Sequence, residues 1–460
     1  MPGVPWEQRR DKLSGALWVI PVLFMAGAIA VGGLLSLINI GPDSAIAPLL
    51  FRGHADEAQK VLLAIVGTLV GVLALVIGLT MIALQVAANR YSPRLMRSFL
   101  RDRPAQIVLG LFVAAIIYNG AGVYIVGQPA GTAETRYPRL AVTVGLGLLF
   151  VCIAVLVFFA DHMMHQIQID AVLARCRRST MQTLATEPPG VGRNCGKQKF
   201  DMPPPWAIAL RARHSGYVQT IHPETLVAVA DATQVTVRLV PAIGDHIVEG
   251  TPLARVWRTS PEQRVAEHGQ LVRALAAAVT IGPERTMRQD VGLGFIQIVD
   301  VALLSLHIYD FQTAIQAINE LSTLLCKCSQ YAMGDEALRS GDGAVRGICP
   351  SPSFEQYLDL ACGEIRRRGA GETMISRALL RLLREVGSVV TTDKRRAYVL
   401  NQISLAVATA ERSIQEPGDL THFRAEAAYA AAGDRERARD AAAGVALLRA
   451  VLDESGGAGD

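Results

Sequence analysis

The first 160 residues alternate between long apolar stretches and short polar loops. Ser14 to Asn39, Val61 to Ala88, Ala105 to Ala133 and Leu140 to Ala160 hold no Asp, Glu, Lys or Arg. Each exceeds the ~20 residues that, at ~1.5 Å rise, carry a helix across a ~30 Å hydrocarbon layer with its backbone polar groups satisfied internally. The pattern therefore predicts four transmembrane helices, at about 14–39, 61–88, 105–127 and 140–162. The first reads as a retained span, because its apolar core outruns the roughly 7 to 15 residues of a signal peptide. After the fourth, Ile167, Ala171 and Ala174 keep a helical repeat until Glu187-Pro188-Pro189-Gly190, where a Pro- and Gly-rich linker begins.

Beyond Pro205 the apolar spacing changes from helical to alternating. Gly216 to Ile221, Leu226 to Val229 and Val235 to Leu239 read as short strands, and Gly244-Asp245-His246-Ile247-Val248-Glu249-Gly250-Thr251-Pro252-Leu253 follows them as a turn, strand, turn and strand. From about Pro261 the spacing is again mostly helical. Leu271, Leu275 and Ala278 share one face, and Gly292 to Leu306 is nearly all apolar, as a buried helix would be. The chain thus reads as an α+β integral membrane protein. Its expected parts are a four-helix transmembrane domain over 1–183, a linker over 184–206, a small cytosolic β barrel-sandwich module over 207–258 and a mostly α-helical cytosolic domain over 259–460.

Charge gives the topology. Arg9, Arg10 and Lys12 precede the first span, Arg90, Arg94, Arg97, Arg101 and Arg103 separate the second from the third, and Arg175, Arg177 and Arg178 follow the fourth. The other two loops carry only Arg52 with Lys60, and Arg136 with Arg139. Basic residues are retained on the cytoplasmic side, so both termini are expected there, in a bacterial cytoplasmic membrane. This distribution accounts for the net charge of +4 without invoking nucleic acid.

Within the spans, the missing ionisable groups weigh against a proton relay or voltage sensor. Thr68, Thr80, Gln85 and Asn119 are the polar candidates, either for hydrogen bonds between helices or for a pore lining. Gly67, Gly71 and Gly78 fall on one strip of the second helix and predict close packing, within the bundle or across a homo-oligomer. In the basic loop, Ser92 caps a short helix, Pro93 suits its first position and Pro104 ends it. Arg94, Arg97 and Arg101 project from one side of that helix, placed for positive-inside anchoring or for anionic lipid headgroups and phosphates. At the end of the fourth span, Asp161, His162 and His165 stand at metal-ligand spacings, or form an ordinary interfacial cluster.

In the distal region Asp300 interrupts an apolar helical run, where an unpaired carboxylate would cost several kcal/mol. One reading pairs it with Arg285 or Arg288, or makes it a helix cap. The other gathers Asp290, Asp300, Ser305, Asp310 and Thr313 into a pocket for a cation or small ligand, since Asp300 and Asp310 are close to three helical turns apart if the helix persists. Seven cysteines, an odd number, suggest free thiols, and Ala425 to Ala443 looks like a single tetratricopeptide-type hairpin. No phosphate-cradling loop, nucleophile elbow or zinc-peptidase motif appears, so no cofactor is expected and enzyme is the weaker class.

The Gly244 to Val256 run resembles the barrel-sandwich fold of lipoyl and biotinyl domains, with Ile247 at the usual valine position. No lysine occurs from Phe200 to Val256, so the resemblance implies the scaffold without its prosthetic group. The chain as a whole resembles a bacterial family of uncharacterised four-span membrane proteins with a large cytosolic domain. The residues that carry this are Leu84 to Arg94, the segment at Asp161, the strands from Gly216, Glu284-Arg285-Thr286 through Asp290 to Val299-Asp300, and Thr313-Ala314. Where that family usually reads S-P-G-x-N-D-P, this chain keeps Ser305 and Asp310 but has Leu306-His307, Tyr309 and Phe311 at the other positions. The resemblance implies architecture and no biochemical activity. Three functions follow as expectations: an oligomeric channel or gate with a cytosolic assembly or sensing part, a non-conducting scaffold or signalling protein, or an enzyme acting on lipid headgroups near the Arg94 helix.

Overall fold

The computed structural model describes residues 18–37, 50–90, 103–126, 138–166, 168–186, 202–258, 275 and 277–432. The chain divides between Ala171 and Val172 into two compact units. Among the described residues the N-terminal unit holds α1 (Val19–Leu37), α2 (Ala55–Arg90), α3 (Arg103–Val126) and α4 (Arg139–Gln166). All four are long and apolar enough to cross a membrane. Helix α2 starts earlier than its apolar run because Asp56 and Glu57 favour the positive end of the helix dipole, and Glu57 accepts the His54 amide at 3.0 Å. Helix α3 packs against α1, α2 and α4. Ile65, Leu69 and Val76 of α2 meet Phe112 and Ala115 of α3 and Cys152 and Phe159 of α4 in the core. The remaining apolar side chains, among them Leu63, Leu75, Phe150 and Val157, point outward.

Helix α5 (Ile169–Thr186) runs across this division, with most of its length in the C-terminal unit. Residues 187–201, most of the expected linker, lie outside the described residues. Then follow β1 (Ile208–Arg211), β2 (Gly216–Ile221), α6 (Pro223–Ala232), β3 (Thr236–Leu239), β4 (His246–Ile247), β5 (Pro252–Trp257) and β6 (Val279–Gly282). Next come α7 (Val291–His307), α8 (Phe311–Cys328), β7 (Glu336–Arg339), β8 (Val345–Cys349), α9 (Phe354–Arg368), α10 (Thr373–Val389), α11 (Asp393–Ser413) and α12 (Pro417–Ala432).

Two sheets form, in the orders β1-β5-β3-β8-β7 and β4-β2-β6. The β3–β8 pair is parallel and the other pairs are antiparallel. Segment 207–258 is therefore no self-contained barrel. Strand β2 takes β6 as a partner and β3 takes β8, so both sheets cross the boundary expected at 258. Leu226 to Val229, expected as a strand, lies inside α6. Pro223 presets the first turn of that helix, Glu224 suits its N-terminus, and Leu226 and Ala230 are buried one turn apart. Leu226 packs at Gly347, where any side chain would meet Leu338 and Leu226 at 3.0 to 3.3 Å.

Helix α7 is the apolar helix expected over Gly292 to Leu306. Helix α10 buries Ile375, Leu379, Leu382, Leu383 and Val386 along one stripe, against α8, α11 and α12. Helix α12 covers the first part of the expected tetratricopeptide-type hairpin, and residues 433–460 lie outside the described residues.

Candidate functional site

A buried polar node of the C-terminal unit is centred on Asp290, which is 4% exposed. Its carboxylate caps α7 by accepting the Leu293 amide at 2.9 Å. It also accepts a two-pronged bond from Arg285, with Nε at 2.7 Å and Nη2 at 2.9 Å. Gly244, at φ +89°, closes over the pair, and a Cβ there would lie 2.5 Å from both Arg285 Nη2 and Asp290 Oδ2. The turn is held by Asp245, whose carboxylate accepts the Ala242 amide at 2.8 Å. Burial works against the Arg285 charge, but Asp290, helped by Asp245, outweighs it and raises the Arg285 pKa above its ordinary value. Burial likewise pushes the nearby Tyr357 phenol up. A saturated ion pair of this kind locks the glycine turn of the β region to the start of α7.

The five residues expected to form one pocket are spread from the start of α7 to the first turn of α8. Asp290 precedes a helix of 17 residues and Asp310 follows it, a separation of roughly 25 Å at 1.5 Å per residue. Asp310 caps α8, accepting the Thr313 amide at 3.2 Å and its hydroxyl at 2.7 Å. The helix ends at His307, so Asp300 and Asp310 are not three turns of one helix apart. The turn passes through Tyr309 at φ +60°, and the Asp310 amide donates to the Ser305 carbonyl at 2.9 Å. Ser305, Asp310 and Thr313 therefore come together at the α7–α8 turn, Asp290 does not join them, and Asp300 lies half-buried within α7 with an interaction of its own. Arg285, one of the partners considered for Asp300, is engaged by Asp290 instead.

The intramembrane polar groups do not share a face either. The Thr68 and Thr80 hydroxyls donate to carbonyls one turn back, Ala64 at 2.9 Å and Val76 at 2.7 Å. Asn119 is fully buried between α3 and α4. Its amide donates to the Ala115 carbonyl at 2.8 Å, while Oδ1 has no hydrogen-bond partner among the described residues and lies where a Gly145 side chain would be. Gly67, Gly71 and Gly78 are exposed, and an added Cβ at each would meet nothing within 4 Å. Among the described residues, the Cβ positions of the glycine strip thus face open space. Gln85 stands on the same outward side, exposed and without a hydrogen bond among the described residues.

At the end of α4, the His165 ring nitrogen faces the Asp161 carbonyl oxygen at 2.9 Å, and His162 stacks on Phe158. The three candidate ligands do not converge, and among the described residues no group of His, Cys, Asp and Glu is placed to hold a metal ion. Arg94, Arg97 and Arg101 lie outside the described residues. In the C-terminal unit burial pushes the Cys176, Cys328 and Cys362 thiols up to about 12, which leaves them protonated and unreactive at neutral pH.

Sequence reasoning missed Gly294 and Thr180. A Cβ at Gly294 would overlap the Thr180 hydroxyl, so the glycine allows α5 to lie directly on α7. Thr183 donates to the Met287 carbonyl at 2.7 Å, and Arg177 pairs with Glu320 at 2.6 Å. The available signal was a glycine inside a helical apolar run, which marks close approach.

A family model described as "Predicted membrane protein (DUF2254)" matches residues 14–385. An uncharacterised protein of Mycobacterium bovis and one of Mycobacterium tuberculosis are each 36% identical over 427 residues, covering 91% of this chain and 81% of the relative. No solved structure matches.

Proposed function

The chain belongs to this DUF2254 family of membrane proteins, and from that premise we propose that it is a homo-oligomeric, non-conducting scaffold of the bacterial cytoplasmic membrane. The observation that carries this reading is the bare outward strip of Gly67, Gly71 and Gly78 on α2. Apolar association has no hydrophobic driving force in lipid, so helices join where small residues let backbones approach and where polar side chains find partners. The strip supplies the first and Gln85 the second. Both termini and the C-terminal unit lie on the cytoplasmic side in this reading, and the charges of Arg94, Arg97 and Arg101 serve anionic headgroups.

The test is the protomer number in nanodiscs, counted by single-molecule photobleaching. Several protomers are expected for the wild type and fewer for Gly71→Leu, while a monomeric wild type sinks the reading. Orientation is checked with cysteines placed singly at Ala55, Ser98 and Ala133 in a cysteine-free background. An impermeant thiol reagent outside intact cells should label the first and third, and labelling at Ser98 would invert the topology.

Conduction is the second reading, and Gln85 favours it. If the strip faces a symmetry axis, one Gln85 amide per protomer lines that axis. Ion flux from loaded liposomes, lost in Gln85→Leu, would replace the scaffold with a channel.

A further inference from the structure

Strands β3 and β5 carry, on the face opposite Val237 and Val256, a charge arrangement that the scaffold reading does not use. In the antiparallel register of β3 and β5, Arg238 stands directly opposite Arg255. Like charges at such positions repel and destabilise the pair. Val237 and Val256, the next residues on each strand, are fully buried, so the two arginines share the opposite face. Asp335 neutralises only one of them, with a carboxylate oxygen 3.3 Å from Arg238 Nη2. Arg255 is exposed and has neither hydrogen bond nor ion pair among the described residues. On its other side β1 places Ala209, whose methyl group leaves room beside the guanidinium. Thr236 and Trp257 form the next pair on this face, adding a hydroxyl and a half-buried aromatic ring.

We propose that Arg238 and Arg255 form a binding site for a phosphate monoester, with Trp257 packing against the group that the phosphate carries. Two guanidinium forks opposed across a rigid strand pair match the oxygens of one phosphate, which removes the repulsion between them. The strands fix the spacing before the ligand arrives, and the single carboxylate leaves one positive charge in excess. The site takes the phosphate either from a soluble ester or from a lipid headgroup.

The experiment uses the full chain in phosphatidylcholine nanodiscs, with phenyl phosphate as probe and thermal unfolding as readout. The wild-type melting midpoint should rise saturably with phenyl phosphate. Arg255→Gln and Arg238→Gln should each weaken that binding at least tenfold, and Arg255→Lys, which keeps the charge but loses the fork, should fall between. In a second arm, phosphatidic acid replaces part of the phosphatidylcholine and no phenyl phosphate is added. A rise there that Arg255→Gln abolishes assigns the phosphate to a lipid, and a rise confined to phenyl phosphate assigns it to a soluble ester. No saturable rise in either arm, or equal binding by wild type and Arg255→Gln, overturns the site. Should Arg255→Gln unfold without probe, Arg255→Lys decides: binding equal to wild type overturns the fork.

Discussion

The two units of this chain both bury apolar side chains but differ in what they turn outward. In the N-terminal unit large apolar side chains such as Leu23, Leu63, Phe150 and Val157 face outward, and the group hidden most completely between helices includes an amide, Asn119. In the C-terminal unit Phe295, Leu321, Leu358 and Ile375 are inside and the arginines are outside or paired. Water drives the second arrangement through apolar burial at roughly 25 cal/mol per Å². In a membrane protein the first gains nothing from that term and depends on close fit and internal hydrogen bonds. Glycine accordingly means different things in the two. Gly244 and Gly294 let the C-terminal unit close tightly on itself, whereas Gly67, Gly71 and Gly78 leave a surface open.

The largest expected effect lies in the C-terminal unit. Asp290→Ala removes a cap and leaves the Arg285 guanidinium without its partner, which should cost about 3 kcal/mol. Chemical denaturation followed by fluorescence would register it. A loss below about 1 kcal/mol would show that solvent already compensates Arg285. Gly294→Ala comes next, because its methyl group collides with Thr180 and forces α5 off α7, at about 1 to 3 kcal/mol. Thr180→Ala in the same chain should recover part of that loss. A double-mutant cycle with no coupling would mean the two helices do not meet at this point.

The membrane unit sharpens the contrast with two glycines. Gly145→Leu should destabilise the protomer, since the site is filled by Asn119 and Leu62, while Gly71→Leu should leave the protomer's thermal stability intact and weaken only its assembly. Equal loss of protomer stability in both would erase the distinction between an inner and an outer glycine. The smallest effect per substituted residue is assigned to the basic loop. Replacing Arg94, Arg97 and Arg101 with Gln should weaken binding to anionic vesicles by about 1 kcal/mol per residue and reduce its salt dependence. Unchanged binding leaves those arginines a purely topological role.

The same contrast decides what was legible in the sequence. A span is recognised by length and apolarity alone, and the four helices lie close to the stretches that suggested them. Strands are defined by partners. Val237 pairs with Gly347, so no window around either residue contains the sheet, and β7 and β8 went unread inside a region that looked helical. Leu226 to Val229 misled because a short apolar run fits a strand or a buried helix equally, and the deciding residue was Pro223, three positions earlier. Asp290 and Asp310 stand out in the sequence, but their roles as caps follow from where α7 and α8 start, which the apolar pattern does not fix to the residue.

The parallel pairing of β3 with β8 also sets a schedule for synthesis. Thr236 and Val345, joined across that pair, are 109 residues apart. At roughly 5 to 20 residues per second, β3 waits on the order of 5 to 20 s on the ribosome before its partner has been translated. During that interval an unpaired strand edge is open to any other chain, and neighbouring ribosomes on one message hold identical edges nearby. Slowing translation just before β8 would lengthen the exposure without altering a single residue of the finished protein.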